Sequence, residues 1–172
     1  MSVCRSSAKR QSSESGKSNP FMDETQYRQT YQQVNRQRCV FEKAIQTRQC
    51  ACSQSHRFCL ADREGVSCNL ELAHRRCTTL LDLLRRNANF ALGIPKIDAA
   101  LPHNKELRIQ NGGLLGIRQL LEQDAEATTP IADIHSLITS AIERFQSLEL
   151  IPYAEVVKFI VSYEVKKRRR SS

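Results

Sequence analysis

Apolar residues recur three and four positions apart in several stretches of this chain, which is the spacing of amphipathic helices. From Asp23 to about Gln49 the set Tyr27, Tyr31, Val34, Phe41 and Ile45 falls on one stripe of a single predicted helix. Cys39 lies off that stripe, where a cysteine serving only as core filler would not sit. A short helix is expected over Ser53 to Glu64, closed by Gly65 as a C-cap; on it Cys52, His56, Cys59 and Arg63 share a face. Asn69 is positioned to cap a long helix from Leu70 to about Leu92, ended by Gly93 and Pro95. Its main stripe is Leu70, Ala73, Cys77, Leu80, Leu81, Leu84, Ala88 and Ala91, with a second stripe of Leu72, Leu83 and Phe90 that implies burial on two sides.

The second half begins with a connector at 93–104, marked by Pro95 and Pro102. After it a short extended piece, a turn at Asn111, Gly112 and Gly113, and a helix to Gln123 are expected. Ile131, Ile134, Leu137, Ile138, Ala141, Ile142, Phe145 and Leu148 then trace an amphipathic helix, and Pro152 suits the first turn of a last one. There is no internal repeat and no heptad run. The predicted fold class is therefore all-α: one helical domain of about five or six helices from about 21 to 165, with a cysteine-rich metal-binding corner. Within it, 21–92 is the cysteine-rich helical half and 93–165 an amphipathic helical half packed on it. Residues 1–20 and 166–172 read as disordered basic tails, too polar to bury the area that ordering requires.

Charge and composition narrow the function. The net charge of +8 resides in the two tails, while the body divides into a basic half at 23–92 and an acidic half at 93–165 that cancel. A chain of 172 residues with 40% hydrophobic residues does not need cross-links to stay folded. No run of 18 or more apolar residues offers a membrane span, and no apolar h-region opens the chain, so a cytoplasmic location is expected. The run Lys166 to Arg170 would contact nucleic acid only weakly and without sequence preference, because no aromatic residues are interleaved with it.

The candidate chemistry lies in Cys39, Cys50, Cys52, Cys59, Cys68 and Cys77, six cysteines within 39 positions. Four uses compete. Plain core filling suits Cys77, at the centre of its stripe, but explains neither Cys39 nor the Cys50-Ala51-Cys52 pair. Thiolate ligation of an iron–sulfur cluster, a 4Fe-4S centre, needs four cysteines converging from separate helix ends. Arg36, Arg38, Arg48, Arg57, Arg63, Arg75 and Arg76 would offset its negative charge. Zinc, with His56 or His74 completing the set, favours C-x2-4-C pairs that are not present here. A nucleophilic Cys52 or Cys59 activated by His56 lacks a third, orienting group. The metal readings rank the ligands as Cys39, Cys50 or Cys52, Cys68 and Cys77, with Cys59 next.

The remaining motifs are weaker. "NGGLLG" lacks the Lys-Ser/Thr of a phosphate loop and reads as a turn. His103 and His135 read as surface or capping residues, and Cys4 as a free thiol without a role. Neither Asp124 with Glu126 nor Asp62 with Glu64 makes a catalytic carboxylate pair, so no enzyme signature is present. The expected function is a small iron–sulfur protein that transfers electrons to a protein partner or senses redox state. The alternative is a zinc-stapled helical module that docks a protein or nucleic acid.

Overall fold

The computed structural model describes residues 23–94, 101–122 and 130–165. The tails, Cys4, Asp124 and Glu126 lie outside the described residues. Expectations placed on them are not addressed by the structure.

The first stripe of apolar residues folds as two helices, not one. Helix α1 (Glu24–Val34) ends at Asn35, and α2 (Glu42–Gln46) starts only after an extended segment. That segment pairs with the chain ahead of it: the Cys39 amide donates to Val66 O at 2.9 Å, the Cys68 amide donates to Gln37 O at 2.8 Å, and Arg38 bridges Ser67. Cys39 thus owes its position to a break in the helix, and not to a place off a helical stripe.

The expected helix over Ser53 to Glu64 does not form. Strands β1 (Ser55–Leu60) and β2 (Arg63–Cys68) make an antiparallel hairpin with Ser55 opposite Cys68 and Leu60 opposite Arg63. Its two-residue turn puts Ala61 at φ 51°, a conformation that glycine or asparagine normally supplies. Gly65, expected as a helix cap, is a buried strand residue. A Cβ there would lie 2.5 Å from the Phe58 ring and 2.8 Å from that of Tyr31. The protein is therefore mostly helical with a small two-stranded sheet, and the helical face proposed for Cys52, His56, Cys59 and Arg63 does not exist.

Helix α3 (Glu71–Ala88) follows β2 after Leu70, and no side chain caps it, Asn69 included. Its main stripe is buried through Ala73, Leu80, Leu81, Leu84 and Ala88; of the second stripe Leu83 packs partly buried against the core, but Leu72 is exposed and Phe90 is 99% exposed. The piece expected to be extended is helical throughout. Helix α4 (His103–Leu107) passes through a π-helical turn (Arg108–Gly112) directly into α5 (Gly113–Leu121). The widened turn directs Gln110 at the first half, where its Oε1 accepts from the Ala44 amide at 3.1 Å and its Nε2 donates to Val40 O and Glu106 Oε1. Glu106 also accepts from Arg85 at 2.8 Å.

Helices α6 (Ile134–Phe145) and α7 (Tyr153–Ser162) lie where the periodicity places them, the latter capped at Pro152. Gly112 has no side chain because α7 passes over it: a Cβ would sit 2.7 Å from Ile160 Cα and 2.8 Å from Phe159 O. The glycines of "NGGLLG" thus serve helix packing. One cluster of buried residues, including Phe41, Val66, Leu84, Leu114, Ile138 and Ile160, runs through both halves of the chain. Among the described residues no helix is long and apolar enough to cross a membrane.

Candidate metal centre

Strand β2 sets up the site. Its last residue, Cys68, has the Gln37–Cys39 segment on one side and the start of β1 on the other, where the Ser55 amide donates to Cys52 O at 3.1 Å and the Asn69 amide to Gln54 O at 2.8 Å. The chain then enters α3, whose exposed-to-buried edge presents Ala73, His74 and Cys77. As a result Cys39, Cys52, Cys68 and Cys77 line one pocket, closed by Val40, Phe41, Ala73 and Ile134. The four thiols come from four segments: the extended strand after α1, the loop after α2, the end of β2 and the second turn of α3.

Two of these sulfurs receive backbone donors from residues two positions ahead. The Phe41 amide donates to Cys39 and the Gln54 amide to Cys52, and Cys52 takes a second donor from the His135 amide in the first turn of α6. Amide donors and a helix N-terminus favour a thiolate over a thiol. Burial works the other way and dominates for the metal-free side chains. It pushes the Cys39 thiol up to about 12, against the Phe41 amide, with Cys52 and Cys68 adding to the rise. Burial also raises Cys52, although its two amide donors oppose this, and raises Cys77, where the nearness of Cys39, Cys52 and Cys68 adds further. Crowded, desolvated thiols of this kind are poor nucleophiles at neutral pH, whereas a cation bound among them would deprotonate them outright.

The loop carrying Cys52 is held from the second half of the chain. The Ala51 amide donates to Ile131 O, the Ile131 amide to Gln49 O and the Ile134 amide to Ala51 O, each at 2.9 Å. Asp133 caps α6 through the His135 amide at 3.0 Å and takes the Ser53 amide at 2.9 Å through the same oxygen. Burial would raise the Asp133 carboxyl, but the Ser53 and His135 amides and the Ser136 hydroxyl together hold it down at about 2.

The other two candidate cysteines stand elsewhere. Cys50 points into the core, with its thiol donating to Asn111 Oδ1 at 3.5 Å and pushed up to about 12 by burial. Cys59 is exposed on β1 and disulfide-bonded, so it is not one of the free thiols. His56 is exposed on β1. His74 does line the pocket, but its Nε2 is engaged with Arg38 O at 3.0 Å. His135, read from the sequence as a surface or capping residue, also lines it; only the fold brings position 135 next to position 52.

Four of the seven arginines expected to balance the site's charge are paired with carboxylates instead. Arg38 pairs with Glu42, Arg57 with Glu64, Arg63 with Glu24 and Arg75 with Glu71.

The pocket itself is tight, about 10 Å3, which is room for about one water-sized group. Among the described residues no group of three or more His, Cys, Asp or Glu side chains is arranged to hold a metal ion. No protein-family model matches the chain, and no curated protein or solved structure matches it.

Proposed function

We propose that Cys39, Cys52, Cys68 and Cys77 are the thiolate ligands of an iron–sulfur cluster, and that the protein transfers electrons to a protein partner or senses redox state. The observation that carries this reading is the convergence of four free thiols from four segments, two of them already supplied with amide donors. Four cysteines in a low-dielectric pocket are the donor set such clusters use, and a bound cluster supplies one-electron chemistry. The chain's own part would be to present the sulfurs, to exclude water with Phe41, Ala73 and Ile134, and to tune the potential through N–H···S bonds.

The tightness of the pocket favours a second reading, a zinc staple held by the same four residues in a module that docks a protein or nucleic acid. Metal analysis of anaerobically purified protein separates the two. Brown protein with iron and acid-labile sulfide near about four per chain supports the cluster. Colourless protein with about one zinc supports the staple. Metal-free protein that takes up neither on reconstitution overturns both.

A further inference from the structure

A second, larger cavity of about 1120 Å3 opens on the other side of the Arg38–Glu42 segment. It lies between α1, α2, the hairpin, the start of α4 and the end of α7, and it is of a size that takes a nucleotide-like ligand. Four cations line it, Arg38, Lys43, Arg48 and Arg63, against two carboxylates, Glu42 and Glu64.

Both carboxylates are already engaged. Glu42 is buried and accepts from the Tyr31 hydroxyl, Arg38 Nε and the Val66 amide, while Glu64 is bound by Arg57 at 2.8 Å. Lys43 and Arg48 have no carboxylate partner among the described residues. Arg48, at φ 60°, is the left-handed residue that ends α2, its amide donating to Ile45 O at 3.0 Å.

The other two cations carry planar guanidinium groups. The Arg63 guanidinium carbon lies 4.4 Å from the centre of the Tyr27 ring and that of Arg38 5.4 Å from the centre of Tyr31, while Arg63 also pairs with Glu24 and Arg38 with Glu42. Gln46, Thr47 and Gln49 add hydrogen-bonding groups to the same wall.

The geometry points to a binding site for a nucleoside polyphosphate in this cavity: phosphates against Lys43 and Arg48, and the heteroaromatic ring stacked on the guanidinium planes of Arg38 and Arg63. The site is separate from the thiol pocket and does not depend on what that pocket holds. Calorimetric titration of the full chain with ATP, inorganic tripolyphosphate and adenosine tests it. Saturable ATP binding that weakens with added salt is expected, with tripolyphosphate weaker and adenosine weaker still.

Lys43→Ala and Arg48→Gly should each weaken ATP binding about tenfold with the circular dichroism spectrum unchanged. Glycine at 48 keeps the backbone conformation while removing the charge. Three results overturn the proposal: no saturable ATP binding, tripolyphosphate binding as tightly as ATP, or affinity that survives both substitutions and vanishes on deletion of residues 166–172.

Discussion

The Ser53 amide donates to Asp133 Oδ1 at 2.9 Å across 80 positions of the chain. That carboxylate also caps α6 through the His135 amide and accepts the Ser136 hydroxyl at 2.7 Å. One side chain thus fixes the start of a helix and the loop that presents Cys52.

Asp133→Ala should cost about 1–2 kcal/mol in a urea titration, the range for loss of a helix cap. The carboxyl sits lower in the folded protein than its ordinary 3.8, so its contribution is complete above that value and lost as the pH falls toward about 2. Wild-type stability should fall with acidification through that window more steeply than the stability of the Asp133→Asn protein.

Serine substitutions sort the cysteines. Cys39→Ser, Cys52→Ser, Cys68→Ser and Cys77→Ser should each lower the bound metal measured by atomic emission, because each removes one of four converging sulfurs. Cys50→Ala should leave metal content unchanged, since its thiol faces Asn111. Full metal retention in the Cys39→Ser or Cys77→Ser protein would sink the ligand assignment.

Gly112→Ala sets helix propensity against packing. Alanine favours a helix by about 1 kcal/mol over glycine, but the new methyl would meet main-chain atoms of α7 at 2.7 and 2.8 Å, which cannot turn aside. The clash should win, leaving a net loss of about 2 kcal/mol in urea denaturation.

Glu42→Ala should be among the costlier single changes, at about 3 kcal/mol by the same measurement. It strips the buried Val66 amide, the Tyr31 hydroxyl and Arg38 of their shared acceptor. Glu42→Gln, which keeps an acceptor oxygen, should cost less.

The helices that were legible in the sequence are those whose apolar residues recur at helical spacing, α3, α5, α6 and α7. The hairpin was not, because Cys52, His56, Cys59 and Arg63 happen to fall at helical intervals and the turn at Ala61 lacks the glycine or asparagine that would announce it. Tertiary pairing also overrode local pattern at Asn35, where the pull of β2 on residues 37–39 breaks what periodicity alone would continue. The sequence singled out six cysteines as candidates. Which of them share a pocket depends on strand pairing and on α6, and neither the role of His135 nor that of the Phe41 and Gln54 amides carries any mark in residue type. The cavity beside Arg48 was equally hidden, since its walls come from positions 27 to 165.

The hydrogen bonds from residues 49–53 to Ile131, Asp133 and Ile134 also set an order of events during synthesis. Cys39, Cys68 and Cys77 lie on the segment paired with β2, on β2 itself and on the helix after it, so they leave the ribosome within a few dozen residues of one another. The loop bearing Cys52 waits for partners some eighty positions later. A growing chain therefore gathers most of its thiols early and locks the last one in place only when α6 has been made.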